Sequence, residues 1–110
     1  MGGFVKGDVV VIPFPFSDLS ASKRRPAVIL ADLPGHDYIL SQITSKSISD
    51  DLSVSLEPGD MDGGSLKQSS NIRPNKLFTA EKSLVLYKTG SLKPEKLDVV
   101  IGRVIKIFTA

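Results

Sequence analysis

The chain has no cysteine, no tryptophan and one histidine among its 110 residues, and its aromatic side chains are five phenylalanines and two tyrosines. Without cysteine it forms no disulfide and no thiolate metal site. A lone histidine, His36, excludes a histidine-rich metal centre and any nucleophile–histidine pair that does not use His36 itself. Twelve acidic residues leave an oxygen-only magnesium site open. No apolar run approaches the roughly 20 residues that span a bilayer. Met1 to Lys6 holds no apolar signal region either, so the cytoplasm is the expected location. The net charge of +2 is too mild to mark a nucleic-acid binder by itself. What remains is ordinary globular material, 41% hydrophobic and 24% charged, with room for a single domain over residues 1–110.

Val9 to Ile12 is a β-branched run, introduced by Gly7-Asp8 and closed by Pro13, and reads as a buried strand. Pro13 and Pro15 donate no ladder hydrogen bonds, so Phe14 to Phe16 should follow an edge or leave the sheet. Ser17 to Arg25 is small and polar, ends on the triplet Lys23-Arg24-Arg25, and reads as an exposed loop. Pro26 to Ala31 reads as a second buried strand started by its proline. Pro34-Gly35 signals a turn with His36 on the surface beside it, and Tyr38 to Thr44 completes a hairpin. Ser45 to Asp51 is polar linker. Leu52 to Leu56 alternates apolar residues with serine, as a half-buried strand does. Glu57 to Ser70, with Pro58, Gly59, Gly63 and Gly64, reads as a long mobile loop. Lys76 to Ala80 and Leu84 to Lys88 are a fifth and a sixth strand.

The C-terminus changes period. Leu97, Val100, Ile101, Val104, Ile105 and Phe108 recur at the 3–4 residue spacing of one helical face. Pro94 suits the first helical position, and Glu95 complements the N-terminal dipole. Gly102 costs the helix about 1 kcal/mol relative to alanine, so packing must hold it. There is no internal repeat. Short strands closed by one amphipathic helix predict a mostly β small barrel with a helical lid.

The segment Gly7-Asp8-Val9-Val10-Val11-Ile12-Pro13-Phe14-Pro15-Phe16-Ser17-Asp18-Leu19, followed by Lys23-Arg24-Arg25-Pro26-Ala27-Val28-Ile29-Leu30, resembles the opening of PemK/MazF-family toxins. The likeness continues through Gln42-Ile43-Thr44-Ser45, Ile72-Arg73-Pro74-Asn75-Lys76-Leu77 and the terminal helix, in the family's order and over nearly the whole chain. It implies an SH3-like barrel of about five to seven strands with a C-terminal helix. It further implies a homodimeric, sequence-specific endoribonuclease acting on single-stranded RNA, without metal or cofactor, and neutralised by a co-encoded antitoxin.

The chemistry so implied suits a protein poor in nucleophiles. In a metal-free ribonuclease the 2′-hydroxyl attacks the adjacent 3′-phosphate and expels the 5′-oxygen of the next nucleotide, leaving a cyclic phosphate. The nucleophile is the substrate's, so the protein need only hold the ribose in line, neutralise phosphoryl charge and manage two protons. Arg25 matches the family's arginine before proline. Its planar guanidinium can grip two phosphate oxygens, and Pro26 keeps its backbone extended. A guanidinium gives up its proton poorly, so Arg25 suits charge stabilisation better than proton donation. Thr44 matches the family's threonine, a hydroxyl donor to phosphate. Arg73 matches an arginine that some members place before x-Asp. Here Asn75 stands in the aspartate's place and accepts no proton, which makes Asp18 the substitute base. Phe16, Ser17, Lys23, Arg24, Ser45 and Lys46 are candidate RNA contacts, whereas Phe14 and Tyr38 read as core.

Two other readings share this fold: a non-catalytic SH3-like module holding RNA or an acidic peptide, and a gyrase poison of the CcdB type. Arg25 with Thr44 favours the ribonuclease, since a gyrase poison needs no phosphate clamp. The missing aspartate favours the binding module. A basic groove also suits an antitoxin with an acidic tail that mimics phosphates.

Overall fold

The computed structural model describes residues 3–15, 22–48, 50–66 and 68–110. Among the described residues seven strands form one antiparallel sheet: β1 (Asp8–Pro15), β2 (Ser22–Asp32), β3 (Asp37–Thr44), β4 (Val54–Leu56), β5 (Met61–Gly64), β6 (Ser70–Glu81) and β7 (Tyr87–Leu92). Helix α1 (Pro94–Phe108) follows. The strand order is β4-β6-β3-β2-β1-β7-β5, so the two outermost strands are consecutive in the chain. Only Glu57 and a 3-10 turn at Pro58–Asp60 separate them. A flat sheet of seven strands, at about 4.8 Å per strand, cannot have its edges joined by four residues. The sheet therefore curls into the expected small barrel with its helix.

Strand alternation sorts the core into two faces. On one, Val9, Val28, Ile43, Leu56, Ile72 and Val100 of α1 form the larger cluster, with Leu97, Ile101 and Val104 packed against it. The other face carries Val10, Ala27, Ile29, Tyr38 and Leu40, with Phe78 partly buried against them. Tyr38 is core, as read: its hydroxyl donates to the carbonyl of Phe4 (2.7 Å) and accepts from the Phe4 N–H (3.1 Å). The Gly7-Asp8 opening is structural. Gly7 has φ +94°, and the buried Asp8 carboxylate accepts from the Val5 N–H (2.9 Å) and the Ser91 hydroxyl (3.0 Å) while pairing with Lys88 (3.3 Å).

Several sequence expectations need correction. Ser22 to Arg25 is strand, not loop. β2 starts four residues before Pro26, and Lys23, Arg24 and Arg25 sit opposite Phe14, Pro13 and Ile12 of β1. β1 continues through Pro13 to Pro15 rather than ending at Ile12, and since its pairing with β7 stops at Val11–Tyr87, that end is an edge, as the prolines predict. The Glu57–Ser70 stretch is no long loop, since it contains the 3-10 turn and β5. There Gly64, at φ +86°, passes so close to β7 that a Cβ would lie 2.0 Å from the Thr89 carbonyl oxygen. The sixth strand of the sequence reading is displaced: Lys82–Leu84 is a 3-10 turn and the strand runs Tyr87–Leu92. The helical face is shorter than its periodicity suggests, because Ile105 (56%) and Phe108 (73%) are exposed.

Candidate active site

Pro26 shapes the site. The β1–β2 ladder runs through it, opposite Val11, while the β2–β3 ladder ends one residue away at Ala27–Gln42. A proline has no N–H to offer on the β3 side, so both strands continue but part company. Extending the register by two residues sets Arg25 opposite Thr44 across this wedge. On the far side of β3, Thr44 is opposite Asn71 and Gln42 is opposite Arg73. Cross-strand partners share a face, so Arg25, Gln42, Thr44, Asn71 and Arg73 all belong to one face of the sheet. Where the strands are paired, as at Thr44–Asn71 and Gln42–Arg73, directly opposed residues lie about 5 Å apart and diagonal ones about 7–8 Å by general sheet geometry. Lys23 falls on this face as well, by its pairing with Phe14, and Phe14 meets Phe78 edge-on at 4.6 Å. Arg24 alternates to the opposite face. At the level of the wedge that opposite face holds a cavity of about 480 Å³, lined by Pro26, Ile43, Leu56, Ser70 and Tyr87 among others.

Arg73 reaches the site through an irregularity. Between Ser41–Leu77 and Gln42–Arg73 the register slips, so Pro74, Asn75 and Lys76 bulge out of the ladder. The buried hydroxyl of Ser41 donates to the Arg73 carbonyl at 2.6 Å and fixes the bulge from beneath. The segment after β3 then folds back onto this region. The Lys46 N–H donates to the Thr44 hydroxyl (3.2 Å), which leaves that hydroxyl its own hydrogen to give. The Asn71 side-chain amide donates to the Lys46 carbonyl (3.1 Å), and Arg103 of α1 donates to the carbonyls of Asp51 (2.9 Å) and Leu52 (3.3 Å).

A residue that sequence reasoning passed over lies in this segment. One Asp50 oxygen, Oδ1, accepts the N–H groups of Leu52 (3.0 Å) and Ser53 (2.9 Å), and the other, Oδ2, stands 3.4 Å from Arg73. The Ser53 N–H above all holds the Asp50 carboxyl below the ordinary carboxylate range. The Leu52 N–H and the Arg73 guanidinium add to this and outweigh the opposing cost of desolvation. The available signal was local: an aspartate followed two and three residues later by unpaired N–H groups is an Asx-turn pattern.

The structure thus brings Arg25, Thr44 and Arg73 to one face, with Lys23 beside them and Ser45 and Lys46 exposed at the turn after β3. Phe16, Ser17 and Asp18 lie outside the described residues. Asn75 belongs to the bulge, and His36 is exposed at its turn, remote from the wedge.

The fold is shared with known toxins. The chain superposes on MazF from Deinococcus radiodurans with a TM-score of 0.77 at 16% identity, covering 100% of each chain. A MazE–MazF complex from the same organism gives a TM-score of 0.77 at 16% identity, over 98% of each chain. An endoribonuclease bound to its cognate antitoxin, from a mycobacterial species, gives 0.74 at 14% identity, over 99% of this chain and 96% of the other. No curated protein matches in sequence. The family profile is decisive, because it matches residues 5–108, from just before β1 to the last residue of the helix. The chain belongs to the PemK-like, MazF-like toxins of type II toxin–antitoxin systems.

Proposed function

We propose that this toxin is a metal-independent endoribonuclease that cuts single-stranded RNA at a specific sequence. The observation that carries the reading is the wedge between β2 and β3, around which Arg25, Thr44 and Arg73 lie on one face of the sheet, with Arg73 diagonal to Thr44. In that wedge Arg25 grips two oxygens of the scissile phosphate and Thr44 donates to one of them. Charge that builds on the phosphoryl oxygens in the transition state is met by donors already in place. The ribose 2′-hydroxyl attacks, the P–O5′ bond breaks, the leaving 5′-oxygen takes a proton from solvent, and the products are a 2′,3′-cyclic phosphate and a 5′-hydroxyl. Asp18, in the connection from β1 to β2, is assigned the proton of the 2′-hydroxyl. Phe16, Ser17, Lys23, Ser45 and Lys46 are assigned to the flanking nucleotides, whereas Arg24, on the opposite face, is not.

The reading extends to partners. A co-encoded antitoxin with an acidic tail occupies the same basic face and excludes RNA. A second copy covers the apolar surface around Phe108 and the adjoining groove of about 440 Å³ lined by Leu30, Ile39, Leu77 and Val104. Among the described residues no helix is long and apolar enough to cross a membrane, and the assigned location is the cytoplasm.

The test is cleavage of single-stranded RNA by the purified protein in excess EDTA, with sequencing of the new ends. Wild type cuts and leaves cyclic-phosphate ends, while Arg25→Ala, equally folded, loses at least about a hundredfold in rate, as removal of a transition-state donor does. A magnesium requirement, or normal cutting by Arg25→Ala, overturns the mechanism. Binding without cutting in wild type returns the chain to the non-catalytic module.

A further inference from the structure

Arg73 is held in an unusual way. Its side chain is 23% exposed, and one terminal nitrogen, Nη2, meets Asp50 Oδ2 at 3.4 Å. Its Nε is buried and has no hydrogen-bond partner among the described residues. An unsatisfied buried donor is costly to keep. Asp50, by contrast, is fully engaged. Its Oδ1 is pinned by the N–H groups of Leu52 and Ser53, which fixes the plane of the carboxylate and so the direction in which Oδ2 points. That segment is in turn fastened to α1 through Arg103 and to β6 through Asn71. Arg73 is therefore gripped at one corner by a carboxylate on a fixed mount, and its partly exposed terminal nitrogens make no other hydrogen bond among the described residues.

We infer that Asp50 is a positioning residue for Arg73: it fixes the guanidinium so that its remaining N–H groups are presented to a phosphate oxygen of bound RNA. This rests on the ribonuclease reading above. Asp50 touches no substrate in this arrangement. It acts through Arg73, whose freely rotating side chain would otherwise sample many orientations before the transition state. Orientation of this kind is felt in the rate of the chemical step more than in ground-state binding, because phosphate contacts elsewhere on the face still hold the RNA.

The experiment is a kinetic double-mutant cycle on the full chain, using a single-stranded RNA that carries the cleavage sequence identified for wild type. Asp50→Asn keeps the Oδ1 acceptor for Leu52 and Ser53 but turns an amide N–H₂ toward the guanidinium. It should lower kcat by about ten- to a hundredfold, with KM within about twofold and the fold retained at neutral pH, the thermal midpoint falling only by what the lost carboxylate supplied. In an Arg73→Ala background the same change should have no further effect, because the group it positions is gone. Arg73→Lys replaces that background if Arg73→Ala cuts too slowly to time. Asp50→Ser, whose hydroxyl also accepts the loop N–H groups, replaces Asp50→Asn if the latter does not fold. A wild-type kcat in the single variant, a loss confined to KM, or an equal loss with and without Arg73 overturns the inference. Wild type that cuts no RNA refutes the ribonuclease reading instead, which makes the two failures distinguishable.

Discussion

Removing one hydroxyl from beneath the sheet should both weaken the fold and loosen the site. Ser41 is fully buried on the helix-covered face, and its Oγ donates to the Arg73 carbonyl at 2.6 Å. That carbonyl sits where the β3–β6 register slips, so the side-chain bond compensates for the interrupted ladder. In Ser41→Ala the serine no longer has a buried hydroxyl to satisfy, but the carbonyl loses its partner, which costs about 1–3 kcal/mol. Unfolding entropy of roughly 2.1 cal/mol/K per residue gives about 0.23 kcal/mol/K for a chain of this length, so Tm should fall by about 4–13 °C. Thermal unfolding followed by circular dichroism reads this directly, and urea unfolding should show a lower midpoint with an unchanged slope. RNA cleavage should slow as well, because the bulge that carries Arg73 is no longer anchored. A Tm within about 1 °C of wild type would refute the reasoning, as it would mean that the Arg73 carbonyl is satisfied some other way.

Two further outcomes follow from the same structure. Gly90→Ala would place a Cβ 2.4 Å from the Gly63 carbonyl oxygen, and the β5–β7 contact should be forced apart at about 1–3 kcal/mol, read as a lower urea midpoint; an unchanged midpoint would show that the strands can separate freely. Asp50 adds a pH dependence. Its folded-state pKa is depressed, so its stabilisation is present above the unfolded value of about 3.9 and is lost as pH falls through the folded value. The wild-type urea midpoint should therefore drop more steeply than that of Asp50→Asn between pH 5 and pH 3, and parallel curves would count against the pairing.

The sequence was legible where a local pattern and its tertiary environment agree. Helix α1 is carried by six apolar residues at helical spacing behind Pro94, and β3 by an apolar run bounded by the turn at Gly35. It was misleading where pairing overrides composition. Ser22 to Arg25 looks like a solvated loop, yet it is drawn into the sheet by the β1 segment Pro13 to Pro15, itself an unpromising strand. The segment Met61 to Gly64 has almost no β propensity. It pairs with β7 because two glycines, Gly64 and Gly90, let the backbones approach where side chains would collide. At the site, Arg25, Thr44 and Arg73 could be picked out in the sequence, but their shared face depends on the register. Asp50 was legible at most as an Asx turn, since nothing in the run Ser49-Asp50-Asp51 says which carboxylate turns back toward β6.

The outer strands β4 and β5 are three and four residues long and are tethered to each other by the Pro58–Asp60 turn. The projecting end of the β1–β2 hairpin, which also has open flanks, is punctuated by Pro13, Pro15 and Pro26, none of which can donate. An extended polypeptide approaching β4 or β5 thus finds only a short row of amide groups to zip onto. At those two strands a partner must instead be won by side chains laid across a face.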